Sequence, residues 1–249
     1  MVRALLAVLC LLTLTSSLRA DTLTPERLTT LTTANIIIGS DARGPFCSGS
    51  VIDTVKRLIL TAAHCVTQQF RDIERDEVDP KTGEVTKKTY REAEPLLVWQ
   101  NKYLDYDVVS STRLTAKILD SNRDLDQALI QLNDPDYRPP ISLDIAPPDY
   151  KYQVSTPCFV IGNSLGVLDG SVSACTIAAP QRNLDVSGIK HKLVQLNSGA
   201  VGGNSGGAVI DATTGRLIGT LVAGYNGSTI TFMVPITIAL DFIKAATPK

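Results

Sequence analysis

From Asn35 onward the chain is a succession of short apolar runs rich in β-branched residues, separated by Gly, Pro, Asn and Asp. One set comprises Asn35–Ile38, Phe46–Asp53, Arg57–Thr61, Leu96–Trp99, Arg113–Leu119 and Gln127–Leu132. A second comprises Cys158–Ile161, Val172–Ile177, Leu193–Leu196, Ala208–Ile210, Leu217–Val222 and Ile230–Val234. Each predicts a strand. Only Ile236–Ala246 reads as a convincing helix, with Ile236, Ala239, Leu240 and Ile243 near one face. About a dozen strands with so little helix predict β-barrels or a sandwich. Asn226-Gly227 is a two-residue hairpin signal between two of the runs.

Between the two sets, Asp134–Tyr152 carries Pro135, Pro139, Pro140, Pro147 and Pro148. Proline cannot donate to a ladder, so this stretch predicts a connector crossing the surface. The expected divisions are 21–133, a connector at 134–153, and 154–249. Gln68–Glu94 is densely charged around a turn at Pro80-Lys81-Thr82-Gly83, and predicts a solvated insertion loop or hairpin without chemistry of its own.

Residues 1–20 have a different character. Arg3 precedes the apolar run Ala4–Leu12, followed by small polar residues and Ala20, the layout of a secretory signal peptide. The run is too short to span a bilayer. Cys10 follows Leu9 rather than a small residue and is not read as a lipid-modified cysteine. Secretion to the periplasm or the extracellular space is the expected fate, with no stable membrane association after cleavage. Lys+Arg 24 against Asp+Glu 25 leave a net charge of -1, so no broad field is expected to draw in nucleic acid. Beyond the leader lie four cysteines, Cys47, Cys65, Cys158 and Cys175, an even number that predicts two disulfides with three possible connectivities. Sequential pairing would close two short loops. With no C-x-x-C and no histidine cluster, a metal site is not expected.

Gly203-Asn204-Ser205-Gly206-Gly207 holds a serine between residues without bulk. A serine that attacks a carbonyl needs open approach and nearby N–H groups aimed at the developing oxyanion, and glycines permit both. It also needs a base, usually histidine. The chain has two, His64 and His191, both before Ser205, an order that excludes an α/β-hydrolase. His191 lies in Gly188-Ile189-Lys190-His191-Lys192, which reads as an exposed turn, whereas His64 lies in Thr61-Ala62-Ala63-His64-Cys65. A carboxylate to orient the imidazole is available at Asp126 or Asp124, just before Ala128-Leu129-Ile130.

The order His64, Asp126, Ser205 resembles chymotrypsin-type proteases, and Thr61–Cys65 is similar to the histidine motif of the trypsin family. Other stretches resemble the HtrA group: Ala116-Lys117-Ile118 with Asp126–Ile130, Ile161-Gly162-Asn163-Ser164-Leu165-Gly166, Gly170–Ala174, and the spacing from Val194-Gln195 to Ser205. These matches run from about Phe46 to Pro235. The resemblance implies two six-stranded antiparallel β-barrels with a short C-terminal α-helix, His64 and Asp126 on the first barrel and Ser205 on the second. It selects Asp126 over Asp124. It implies a secreted serine endopeptidase acting on protein or peptide substrates through an acyl-enzyme, without a cofactor or metal. The N–H groups of Gly203 and Ser205 become the expected oxyanion hole, and Gly199, Val222, Ala223 and Gly224 the walls of the primary specificity pocket. No acid stands beside Gly199, so apolar residues rather than Arg or Lys are expected before the scissile bond.

Departures from the pattern matter as well. The chain ends soon after the second set of strands, so the PDZ domains usual in the HtrA group are not expected. Cys47 and Cys65 match the trypsin-family disulfide beside the histidine, which HtrA proteins generally lack. Trypsin-like enzymes often bridge the strand holding Cys158 to the segment after the serine. No cysteine follows Ser205, which makes Cys158–Cys175 the expected second pair. Trypsin-like zymogens usually carry Asp before the nucleophile to meet a new N-terminal ammonium. Here Asn204 offers no charge to an end created at Ile37, so activity without a cut there is expected. The competing expectations are a catalytically idle binding protein of the same fold and an esterase on that scaffold. Asn226-Gly227-Ser228 also matches an N-glycosylation acceptor.

Overall fold

The computed structural model describes residues 23–248 except 41–43, 67–69, 79, 94, 105–106, 187 and 226. Residues 1–20, which the sequence reads as a signal peptide, Cys10 and Asn226 therefore lie outside the described residues.

Two closed antiparallel barrels account for the twelve predicted strands. The first contains β1 (Asn35–Ser40), β2 (Gly44–Asp53), β3 (Leu58–Thr61), β6 (Leu96–Leu104), β7 (Asp107–Asn122) and β8 (Gln127–Leu132), in the order β1-β2-β3-β8-β7-β6. The second contains β9 (Pro157–Ser164), β10 (Leu168–Val186), β11 (Ile189–Ser198), β12 (Ala208–Asp211), β13 (Leu217–Gly224) and β14 (Ile230–Pro235), in the order β10-β11-β14-β13-β12-β9. Closure removes the unpaired edges that an open sheet would expose. The core is one continuous apolar body that includes Ile36, Ile38, Leu60, Leu129 and Ile130 from the first barrel and Ile161, Ile177, Leu196, Ile210 and Met233 from the second. Burying such side chains stabilises by about 1.5–3 kcal/mol each.

The charged insertion folds as a hairpin of β4 (Phe70–Val78) and β5 (Val85–Ala93), paired in register and separate from both barrels. Its described side chains are mostly exposed, and Glu74–Lys87, Glu77–Lys88 and the Arg75–Tyr90 contact cross it. Surface pairs of this kind contribute little stability.

β10 runs nine residues beyond the predicted end at Ile177, as a hairpin with β11 that extends past the barrel. Pro180 and the polar residues after it hid this continuation. The ladder shifts register between Ala179 and Arg182, and such an irregularity is where a sheet tolerates proline. This also corrects the reading of His191. It lies in β11 opposite Leu184 and is 8% exposed. Alternation turns Lys190 and Lys192 outward and His191 and Leu193 inward, so two charged neighbours in sequence concealed a buried position.

The proline-rich segment is more firmly held than a surface crossing. The amide of Leu143 donates to Val51 O (2.9 Å), and Asp144 O and the amide of Ala146 pair with Leu217 (2.8 and 3.0 Å). Tyr150 donates its hydroxyl to Asp211 at 2.6 Å, and Tyr152 donates to Ile218 O at 2.8 Å.

Helix α2 (Ile236–Ala246) has the predicted bounds and buries Ile236, Ala239, Phe242 and Ile243. Helix α1 (Pro25–Thr32) was not expected from the sequence, although Thr24-Pro25 is a start signal. Thr24 caps Arg27 N, and the hydroxyls of Thr29 and Thr30 bond back to Pro25 O and Glu26 O. Beside α1, the Asp169 carboxylate from the start of β10 accepts from Asn35 on β1 and from Asn101 and Tyr103 on β6, joining the two barrels. Burial pushes the Asp169 carboxyl above the usual carboxylate range.

Candidate active site

His64 stands on a single 3₁₀ turn, Ala63–Val66, that follows β3. The Cys47–Cys65 disulfide ties this turn to β2, with Cα atoms 5.9 Å apart. The second disulfide joins Cys158 and Cys175, which face each other across β9 and β10. Both are the expected sequential pairs. Each closes a short loop, a constraint on the unfolded chain worth about 3 kcal/mol.

Asp126 ends the turn before β8 with φ 51°, a left-handed conformation that Asp tolerates better than bulkier residues. Its amide donates to Arg123 O at 3.2 Å. Gln127, fully buried, locks it further: the side-chain amide donates to Asp126 O (2.8 Å) and accepts from Thr220 on β13 (3.1 Å). The Asp126 carboxylate thus faces His64. Oδ1 accepts from the His64 amide at 3.0 Å, and the ring Nδ1 lies 2.8 Å from Oδ2 and 3.1 Å from Oδ1. A carboxylate there holds the proton on Nδ1 and leaves Nε2 as the basic nitrogen. Asp124 is exposed and points to no such contact. The Asp126 side chain is 18% exposed and that of His64 45%, so the pair is sheltered on one side and accessible on the other.

Ser205 lies on the loop between β11 and β12. Its carbonyl accepts from Ser48 N at 2.8 Å and lies 3.5 Å from Cys65 Sγ, which brings the loop against the His64 turn. On its other side Gly206 N donates to Leu221 O (2.7 Å) and Gly207 O accepts from Leu221 N (3.0 Å), fastening the loop to β13. Gly203 and Gly206 both have positive φ, 90° and 83°. A Cβ on Gly206 would sit 2.1 Å from Ser48 O and 2.2 Å from Thr61 Oγ1. Gly206→Ala is therefore expected to cost about 3 kcal/mol through left-handed strain and overpacking together. Gly202→Ala is the control, because nothing lies within 4 Å of its Cβ position. Thermal melting of the two variants checks the difference.

Asn204 is buried. Its side-chain nitrogen donates to Ser164 Oγ (3.0 Å) and Val201 O (3.2 Å), while its oxygen accepts from the Ser164 hydroxyl (3.3 Å). The position before Ser205 is thus satisfied by neutral groups. Ile36 and Ile37 are buried within β1, which pairs with β2 on one side and β6 on the other.

A cavity of about 510 Å³ opens beside Ser205, and Val222, Ala223 and Gly224 are among the residues that line it. Gly199 is not. Ser198 and Ala200 turn inward while Gly199 faces solvent, and it is Ala200 that lines the cavity. Leu165 and Tyr225 also line the cavity and were not anticipated, since both come from turns whose closeness to Ser205 is a product of the fold. No charged residue is among the described lining. Cys47, His64 and Cys65 hold potential ligand atoms within 4.8 Å of one another, but both sulfurs are spent in the disulfide.

No curated protein matches the sequence significantly. Among solved structures, the apo protease domain of MamO from Magnetospirillum magneticum superposes with a TM-score of 0.63 at 18% identity, over 86% of this chain and 97% of that one. Rv3671c from M. tuberculosis H37Rv, a serine-to-alanine mutant in an inactive form, gives 0.60 at 16% identity over 89% of this chain and 92% of its own. The HtrA-type protease AlgW, with a tripeptide, gives 0.63 at 20% identity over 88% of this chain and 62% of its own. These likenesses are of fold. The family model for the trypsin-like peptidase domain matches residues 47–219, from the cysteine bridged beside His64 to the strand behind Ser205. The chain belongs to the trypsin-like peptidase domain family.

Proposed function

We propose that the protein is a secreted serine endopeptidase in which Ser205 is the nucleophile, His64 the general base and Asp126 the residue that orients it. The observation that carries this reading is the paired contact of the Asp126 carboxylate with the ring and the amide of His64. It is made on the wall of the first barrel against which the Ser205 loop packs.

In this mechanism Ser205 Oγ attacks the peptide carbonyl carbon while His64 Nε2 takes the hydroxyl proton. The carbonyl electron pair moves onto oxygen, and the N–H groups of Gly203 and Ser205 receive that charge. Such preorganised donors contribute about 3–4 kcal/mol each to the transition state. When the C–N bond breaks, the proton on Nε2 passes to the departing amine and an acyl-enzyme remains. Water then attacks the ester, again giving its proton to His64, and Ser205 is regenerated. Every step uses groups of this chain, with no cofactor or metal.

The expected substrates are proteins or peptides with small or apolar residues before the scissile bond. The cavity beside Ser205 offers no carboxylate, and a guanidinium or ammonium buried there would lose its hydration without a partner. A peptide-library digest is expected to show cleavage after apolar residues at least about tenfold above Arg or Lys, a difference near 1.4 kcal/mol. Dominant cleavage after Arg or Lys would contradict this. Full activity is expected with the Ile36–Ile37 bond intact, since that bond is buried inside β1 and Asn204 presents no charge to a new ammonium.

Export is supported by the leader pattern of residues 1–20 and by two disulfides, which persist in oxidising compartments. Among the described residues no helix is long and apolar enough to cross a membrane. The direct test of the function is hydrolysis of casein beside small esters. Casein cleavage that stops on serine-directed inhibition supports an endopeptidase, whereas turnover confined to esters would make the protein an esterase.

A further inference from the structure

The Ser205 loop carries no charged anchor, yet it must hold two backbone N–H groups in one orientation. Gly203, with φ 90°, is the pivot about which the flanking peptide planes would turn. Both planes are held by hydrogen bonds to their carbonyls. Gly202 O accepts from Leu165 N at 2.6 Å. Gly203 O accepts from the hydroxyl of Ser48 at 2.8 Å. In a trans peptide the C=O and the following N–H point in opposite directions, so pinning Gly202 O fixes where the Gly203 N–H points.

Ser48 lies on β2 and is fully buried, with every polar group engaged. Its amide donates to Ser205 O at 2.8 Å, and its carbonyl accepts from Thr61 Oγ1 at 2.7 Å. Its hydroxyl donates to Gly203 O and accepts from Asn163 N at 2.7 Å. Asn163 begins the turn that supplies Leu165 N, and a Cβ on Gly203 would fall 2.2 Å from Asn163 O. One hydroxyl therefore ties together the two segments that fix Gly203 and joins them to the barrel that carries His64.

We infer that Ser48 is a positioning residue for the oxyanion hole, holding the peptide planes around Gly203 through neutral hydrogen bonds in place of a charged switch. The inference rests on the serine-peptidase reading and adds to it a residue that touches neither substrate nor the reacting atoms.

Ser48→Ala removes the hydroxyl and leaves the main-chain bonds. Displacing a catalytic group by about 1 Å costs about 10²-fold in rate. The variant is expected to lose roughly that factor in kcat with KM within about twofold, because the substrate pocket is untouched. The affinity of a peptide aldehyde, whose tetrahedral oxygen occupies the hole, is expected to fall in parallel, while that of the cleaved product peptide stays the same. A merely structural role would not separate aldehyde from product. Should Ser48→Ala fail to fold, Ser48→Cys, with a weak S–H donor of similar shape, is expected to show the same split at smaller amplitude. Aldehyde and product affinities that are both unchanged, or that fall together, would overturn the inference. If the wild-type protein itself neither hydrolyses peptides nor reacts at Ser205, the peptidase reading fails, a result distinct from an active wild type with an equally active Ser48→Ala.

Discussion

Ser205→Ala is expected to lower kcat for peptide hydrolysis by about 10⁶-fold, with KM nearly unchanged. In the proposed mechanism alanine lacks the atom that forms the acyl bond, and it leaves the pocket walls as they are. The backbone should be indifferent to the change: the contacts that hold residue 205 run through its carbonyl, to Ser48 N and Cys65 Sγ. His64→Ala should cost about as much, and the double variant little more, if nucleophile and base act as the one unit proposed. Steady-state kinetics on one peptide substrate across the three variants checks both the size and the non-additivity. Losses that add would mean that the two side chains work separately.

Asp126→Asn is expected to lower kcat by about 10⁴-fold without unfolding the protein. Asparagine adopts the left-handed conformation required by φ 51° at least as readily as aspartate, so the turn before β8 should persist. Its oxygen would continue to accept from the His64 amide, now 3.0 Å away. That choice turns the NH₂ group toward the ring. A donor facing Nδ1 stabilises the tautomer with the proton on Nε2, where it cannot take a proton from Ser205. The variant should therefore melt close to wild type while kcat collapses. An activity within tenfold of wild type would show that the Asp126 contact is not what prepares His64.

Much of this was legible in the sequence because it depends on local pattern. β8 and α2 have the bounds that alternation, turn residues and helical period predicted. β3 begins one residue later than predicted, at Leu58, and the other barrel strands run beyond their predicted ends, since pairing in a closed barrel carries polar residues such as Asn101 and Asn122 into ladders that composition alone assigns to loops. His64, Asp126 and Ser205 stood out because motif and order are properties of the chain. What stayed hidden depends on packing between distant segments. Ser48 is an unremarkable small residue until β2 presents it to the Gly203 carbonyl 155 residues away. Leu165 joins the cavity because its turn folds back toward Gly202, and Gly199 leaves it because Ala200 has the inward register. His191 was misread for the same reason, its burial being set by strand alternation rather than by its charged neighbours.

The proposed activity requires Ser205 to be an activated nucleophile. It is tested most directly by treating the wild-type protein with a fluorophosphonate and locating the adduct by peptide mapping. One stoichiometric modification on Ser205 is expected, absent from Ser205→Ala and strongly slowed in Asp126→Asn. No adduct on the folded wild-type protein, or an adduct at another residue, would contradict it.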